Sequence, residues 1–405
     1  MRATQCEKSV SKALAGAPLT IAVVTETYPP EVNGVAMTVG RLVAGLRETG
    51  HRVEVWRPRQ GENDDGSAGE HVLSGVPLPG YASVRAGLPA GGFLCRRWRE
   101  SRPDLVHVVT EGPLGWSAVT AARRLGIPVT SGFHTNFDRY SVHYGLGWLR
   151  PLVAAYLRML HRRTLVTMVP TAALAAELAG EGVPGVRVVG RGVDTERYDP
   201  AHRSVQLRAA WRTVEEGPAC LYVGRLAPEK NLGLVERCFD AIRARHPGAR
   251  MIWVGDGPAA QRLAVDNPDH QFSGMRLGED LARHYASADL FLFPSLSETY
   301  GNVVAEAMAS GVPVLAYRSG AAAELIVDGE NGRVVAPGHE AAFIEAALET
   351  LADRQRLVGM GQKARAAMLS RQWSEVVSRF EEVLREVLAA RDLGQLASMP
   401  AKQGG

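Results

Sequence analysis

The chain has 405 residues, 46% apolar and 22% charged, with a formal net charge of +3. This is too long for one typical α/β domain and comfortable for two, in an ordinary globular balance with apolar material for two cores. No apolar run approaches the length of a membrane span, and the charge is too small a bias to indicate nucleic acid as a partner.

The first residues, MRATQCEKSVSKALAGAP, lack the continuous apolar core of a signal peptide. Residues 1–18 are expected to be disordered. The four cysteines, Cys6, Cys95, Cys220 and Cys238, have no CxxC spacing, which fits a reduced cytosol better than a disulfide framework. The expected location is therefore cytoplasmic, either soluble or peripheral on the inner face of a membrane.

Short β-branched runs then alternate with amphipathic stretches of helical length. Leu19–Thr25 reads as a strand. The loop TETYPPEVNGVA follows, with Asn33–Gly34 just before a helix whose Val35, Val39, Leu42, Val43 and Leu46 share a face. Amides at that helix start could meet a phosphate, or the segment is an ordinary connecting loop. Arg52–Trp56 is the second strand. Residues 60–80, polar and rich in Gly and Pro, read mainly as loop. Arg96, Arg97, Trp98 and Arg99 form a basic-aromatic cluster.

Strands are expected at Leu105–Val109, Val129–Phe133, Val166–Val169 and Val186–Val189. SGFHTNFDRY places His134, Asn136 and Asp138 at the end of one of them. Such a trio is common in sites, while a lone His is more often structural. No acidic residue lies between Asp138 and Glu177, yet five arginines do. Within this stretch Trp148–Thr164 is amphipathic. Leu149, Leu152, Val153, Tyr156, Leu157 and Leu160 fall on one face, and Arg150, Arg158, His161 and Arg162 largely on the other. Such a helix can lie on an anionic membrane surface, or pack on a core with a solvated basic face. Arg191 and Asp194, in VVGRGVDTERY, could serve a site or close the domain.

The periodicity breaks within 195–217 and restarts. Cys220–Val223, Met251–Val254, His270–Phe272, Leu290–Phe293, Val312–Ala316 and Arg333–Val335 read as strands separated by helices. Two such series imply two doubly wound, Rossmann-like domains with an inter-domain cleft. Residues 374–390 form a last helix with an apolar stripe from Val376 to Val387. Residues 393–405 are expected to be a disordered tail.

Three motifs in the second series carry chemistry. SETYGNVVAEAMASGVPVLA holds Glu298 and Glu306, with Tyr300, Gly301, Asn302 and Val303 where a helix begins after a buried strand. Amides at such a start attract anions, and the glutamates could accept hydrogen bonds from sugar and ribose hydroxyls. Either glutamate alone could be a first-turn charge favoured by the helix dipole. YVGRLAPEKNL places Arg225 and Lys230 five residues apart after a strand-ending Gly224. Two cations there suit a diphosphate, or form a solvated basic turn. VGDGPA is a third strand-to-helix turn, with Gly255 and Gly257 for close packing and Asp256 as a helix cap.

Taken in order, TETYPPEVNGVA, HTNFDRY, RGVD, VGRLAPEKN, VGDGP and ETYGNVVAEAMASGVPV resemble the retaining GT-B glycosyltransferases of family 4, over roughly residues 19–390. Within these the chain looks most like bacterial GDP-mannose-dependent α-mannosyltransferases and the related sulfoquinovosyl and glucosyl lipid transferases. The resemblance implies an acceptor domain at 19–200 and a nucleotide-sugar donor domain at 201–373. A helix at 374–392 would cross back to the first domain. It assigns Arg225 and Lys230 to the donor diphosphate, Glu298 to the transferred sugar and Glu306 to the ribose. Tyr300–Val303 would present amides to sugar and phosphate, with Gly34 adding one from the opposite domain. His134 would sit beside the sugar near the reacting centre. Gly274 and Met275 fall where the family binds the base. Asn136, Asp138, Arg191 and Asp194 are acceptor-side candidates.

The implied reaction is hexose transfer with retention to a lipid or glycolipid, with mannose from GDP-mannose the leading donor. No cofactor and no metal is implied: cationic side chains and helix amides stabilise the departing diphosphate. The alternatives are a UDP-sugar-dependent glucosyl or sulfoquinovosyl transferase and a GT-B sugar-nucleotide epimerase.

Overall fold

The computed structural model describes residues 16–61, 63–78, 81–134, 150–213, 217–296 and 298–392. The described residues fall into two compact units, one of residues 16–134, 150–191 and 373–392, the other of residues 192–372.

The first unit is built on a seven-stranded parallel sheet of order β3-β2-β1-β6-β7-β8-β9. Its strands are β1 (Thr20–Val24), β2 (Arg52–Pro58), β3 (Glu70–Leu73), β6 (Leu105–Val108), β7 (Val129–Gly132), β8 (Thr167–Val169) and β9 (Val186–Val188). An antiparallel hairpin of β4 (Gly75–Leu78) and β5 (Tyr81–Gly87) forms a separate two-stranded sheet. The sequence LVHV of β6 is buried at every position, as a parallel strand covered on both faces must be. The strand order reverses between β1 and β6.

The helix Trp373–Asp392 belongs to this unit. Its Val377, Phe380 and Leu384 are buried in one core with Val39, Leu42 and Leu46 of the helix Gly34–Glu48. The two helices meet so closely at Gly45 that a Cβ there would stand 2.4 Å from Cγ2 of Val377.

The second unit carries a six-stranded parallel sheet of order β12-β11-β10-β13-β14-β15. Its strands are β10 (Ala219–Val223), β11 (Arg250–Val254), β12 (Gln271–Gly274), β13 (Leu290–Phe293), β14 (Val314–Tyr317) and β15 (Gly332–Val335). Trp253, Tyr222, Phe291 and Phe239 fill its core. Here the reversal falls between β10 and β13. In open parallel sheets ligands bind beyond the carboxyl ends of strands at such a reversal, which places the candidate site at the loops after β10 and β13.

Three expectations are corrected. Residues 60–80, read mainly as loop, contain β3 and β4. The strand β3 is an edge strand paired only with β2 and contains just Val72 and Leu73 as apolar residues, so its burial signal is weak. Arg57 bridges Asp64 and Glu70 beneath it and supplies order that no hydrophobic pattern records. The strand β4 contains Pro77, tolerated because its only partner is β5.

The basic amphipathic segment forms the helix Arg150–His161, but its faces differ from expectation. His161 is completely buried, its Nδ1 2.9 Å from Oγ of Ser131, whereas Leu152 is 66% exposed. Asp256 is not a helix cap: its Oδ1 accepts from Gly257 N, and the next helix begins only at Ala260.

Among the described residues no helix is long and apolar enough to cross a membrane. Cys95, Cys220 and Cys238 are free thiols in buried positions.

Candidate active site

The loop after β10 begins at Gly224, whose amide donates to Val254 O at 3.0 Å. Leu226 N donates to Asp256 O at 2.9 Å, so this loop and the one after β11 are zipped together by their backbones. The glycines of VGDGP make this possible. A Cβ at Gly255, which has φ +131°, would lie 2.0 Å from Gly224 O. Arg225 follows. A 3-10 turn, Pro228–Lys230, then turns the chain through Asn231 into the helix Leu232–Arg245.

From the neighbouring loop comes Glu298. Lys230 Nζ donates to its Oε1, with both side chains 12% exposed. The ammonium also lies 5.8 Å from the ring centroid of Phe293, the last residue of β13. The helix Asn302–Ala309 begins immediately beyond. Its N-cap is Gly301 at φ +90°, which has no side chain to cap the first turn. Tyr300 is buried, and its carbonyl accepts from Ala321 N. The reversal between β10 and β13 thus brings together Arg225, Lys230, Glu298 and the start of a helix.

Glu306, one turn into that helix, is half-buried and accepts a hydrogen bond of 2.9 Å from the Tyr285 hydroxyl. Tyr198 also hydrogen-bonds to it, and its ring meets that of Tyr285 edge to face. Burial pushes the Glu306 carboxyl up to about 7, against the opposing pull of the two tyrosines and Arg197. Gly274 ends β12 at φ +66°, and its carbonyl accepts from Gly255 N. Met275 beside it is 54% exposed.

Sequence reasoning missed three residues around this site. Glu229, Tyr198 and Tyr285 were not singled out. Glu229 is 1% exposed, with Oε1 4.0 Å from Arg225 Nη1. Its position four residues after Arg225, between two cations, was a usable signal. The tyrosines gave none, because only the fold carries them to Glu306.

In the first unit, His134 lies just past β7. Arg191 Nη2 donates to its Nδ1 at 2.5 Å. A guanidinium can only donate, so Nδ1 is the acceptor and a neutral ring carries its proton on Nε2. Desolvation, with Arg191 and the buried His107 and His161 adding to it, holds the His134 pKa well below the usual histidine value. The ring is a neutral hydrogen-bond donor, suited to an oxygen. Gly132 makes room for it, since a Cβ there would meet His134 Nε2 at 2.2 Å. Asn136 and Asp138 lie outside the described residues.

Gly34 opens the helix Gly34–Glu48, but the amides of Val35 and Ala36 are taken by Oδ1 of Asn33, at 3.1 and 2.8 Å. The anion-binding capacity read into Asn33–Gly34 is therefore narrower than expected. Asp194 closes a turn, accepting from Arg197 N at 3.0 Å.

Two further carboxylates were not anticipated, Glu26 after β1 and Glu111 after β6, on either side of this unit's reversal. Glu26 accepts from Leu114 N at 3.0 Å, and burial pushes its carboxyl up to about 7, with the Glu111 charge adding to it. Glu111 is 3% exposed, with one oxygen 3.4 Å from His161 Nε2. Their strand-end positions were visible in the sequence, but their adjacency follows only from β1 pairing with β6.

Comparison with known proteins follows the same division of the chain. The family model described as Glycosyltransferase Family 4 matches residues 32–197, and that described as Glycosyl transferases group 1 matches residues 217–353. A GDP-mannose-dependent alpha-mannosyltransferase of Mycobacterium tuberculosis is 33% identical over 90% of this chain and 96% of its own. A GDP-mannose-dependent alpha-(1-6)-phosphatidylinositol monomannoside mannosyltransferase of the same organism is 29% identical over 92% of this chain and 99% of its own. Among solved structures, the sucrose-phosphate synthase of Thermosynechococcus elongatus superposes with a TM-score of 0.75 at 19% identity, covering 92% of this chain and all of that one.

Proposed function

Because the chain belongs to the family 4 glycosyltransferases, we propose that it transfers mannose from GDP-mannose, with retention, to a lipid or glycolipid acceptor. The chain is a nucleotide-sugar-dependent glycosyltransferase of GT-B fold. The choice of mannose, the acceptor and the residue roles are the proposal. One observation carries it: the meeting of Arg225, Lys230, Glu298 and a glycine-capped helix start at the strand reversal of the second unit.

In this reading the donor diphosphate lies against Arg225 and Lys230, with the amides from Tyr300 to Val303 at its other oxygens. These groups stabilise the charge that grows on the leaving diphosphate, and they need no reorganisation as it grows. Glu298 accepts hydrogen bonds from the sugar hydroxyls. Glu306 accepts from the ribose diol with the carboxylate oxygens that Tyr285 and Tyr198 hold in place. Gly274 and Met275 flank the base. His134, proton on Nε2, donates to a sugar oxygen, oriented by Arg191. Gly34 contributes an amide. Residues 19–200 supply the acceptor side and 201–373 the donor side. Attachment to an anionic cytoplasmic leaflet is part of the proposal, supported by the exposed Arg96, Arg97, Arg99 and Phe93 on one short helix.

The test is incubation of the purified protein with radiolabelled GDP-mannose and a bacterial lipid extract, followed by thin-layer chromatography. Label is expected in the lipid phase, and Glu298→Ala should lower kcat/KM by about a hundredfold. Transfer from UDP-glucose with none from GDP-mannose would overturn the mannose reading.

A further inference from the structure

The two cations of the diphosphate turn each face a carboxylate of this same chain. Lys230 is hydrogen-bonded to Glu298, and Arg225 lies within 4.0 Å of Glu229. Two positive and two negative charges leave the cluster near neutrality. A site that only had to grip a diphosphate would leave its cations uncompensated, because any nearby carboxylate repels the incoming phosphates. The two pairs also differ in kind. Glu229 is 1% exposed and buried away from any ligand, so it serves as a fixed counter-charge near Arg225. Glu298 is more accessible, and a Cβ on Gly301 would lie 3.4 Å from its Oε2, which puts that oxygen at the helix start where the phosphates and sugar are proposed to lie.

The cation opposite Glu298 is a lysine in a chain with only five lysines among its 46 basic residues. A compact ammonium with three rotatable donors can shift between a carboxylate and a phosphate more readily than a forked guanidinium locked to one partner.

We propose that Glu298 is a selectivity element that makes the site prefer an intact nucleotide sugar to a nucleoside diphosphate. As counter-charge to Lys230 it weakens the binding of every diphosphate. A ligand that also carries sugar hydroxyls recovers the loss, because those hydroxyls occupy the Glu298 oxygens while the phosphates occupy Lys230. A nucleoside diphosphate, which is the product of the reaction, offers the phosphates alone. The pair therefore favours donor entry and product departure at one position. The inference rests on the donor-site reading above.

Calorimetric titration of GDP, UDP, GDP-mannose and UDP-glucose into the full chain tests it, with the wild type, Glu298→Gln and Glu298→Ala compared. Glu298→Gln should bind the preferred nucleoside diphosphate about fivefold tighter than the wild type, the effect of removing one part-buried like charge. It should bind the corresponding nucleotide sugar no tighter, so that the ratio of the two Kd values collapses. Glu298→Ala, which removes the hydrogen-bonding group as well, should show the same tightening for the diphosphate. Wild-type binding with unchanged or weaker diphosphate affinity in both variants would overturn the selectivity role and leave the donor reading standing. A wild type that binds none of the four nucleotides would overturn the donor reading, and this proposal with it.

Discussion

Glu306 is a carboxyl pressed against two tyrosines, and burial has moved its pKa up to about 7. In the proposed ribose contact the ionised form accepts one hydroxyl of the diol on each oxygen, whereas the protonated form turns one of those oxygens into a donor. Nucleotide affinity should therefore rise as pH increases through about 7 and fall on the acid side. Tyr285→Phe removes a hydrogen bond that favours the ionised form, so the midpoint should move to higher pH and affinity at neutral pH should drop several-fold. Nucleotide titrations at a series of pH values read both effects. The sign for stability is opposite. A carboxyl whose folded pKa exceeds its unfolded value of 4.5 costs folding free energy as pH rises from there toward 7. That Glu306 shares a motif with Glu298 was legible in the sequence. Its tyrosine partners were not, because hydrogen bonds between distant segments leave no local pattern.

At the level of elements, backbone contact decides more than side-chain chemistry. Gly45 lies where the helix Gly34–Glu48 meets Val377 of the last helix, and a Cβ there would be 2.4 Å from a methyl group. Gly45→Val should overpack the contact and destabilise the first unit by about 1–3 kcal/mol, read as a lower midpoint in urea. The same logic explains Gly255 against Gly224. Gly255 stood in the sequence as a turn residue and Gly45 inside a helix, and the structure shows which neighbour each must approach. The segment 60–80 shows the converse. Its strands are short, edge-like and partly polar, and an arginine network around Arg57 orders them, so a hydrophobicity pattern reads them as loop. The helix Arg150–His161 likewise has a regular apolar period, yet buried polar contacts to Ser131 and Glu111 draw His161 inward.

On the scale of the whole molecule, the last twenty described residues return to the unit in which the chain begins. Their apolar stripe, from Val376 to Leu388, is buried in the core formed by β1, β2 and the helix Gly34–Glu48. Deleting residues 373–405 should expose that core and leave the first unit aggregation-prone or molten, while the second unit, whose core is made wholly of its own residues, keeps its secondary structure. Limited proteolysis should then yield a resistant fragment of about residues 192–372. An equally resistant first unit would show that the stripe contributes little.

The sequence by itself determined the strand–helix alternation, the two-part division into doubly wound sheets and the identity of the charged motifs. These are local signals: hydrophobic period, glycine at turns and residue type at strand ends. It also pointed to Arg225, Lys230, Glu298 and Glu306 as one constellation, through the order of motifs. Only the tertiary structure decided who faces whom. Pairing of β10 with β13 sets Lys230 against Glu298. The turn after β7 brings His134 to Arg191, and pairing of β1 with β6 sets Glu26 beside Glu111. Charge pairing and burial depend on contacts between residues far apart in the chain, and those contacts fix each group's protonation and partner. Hence the candidate residues were legible as a list, and their electrostatic balance only as a fold.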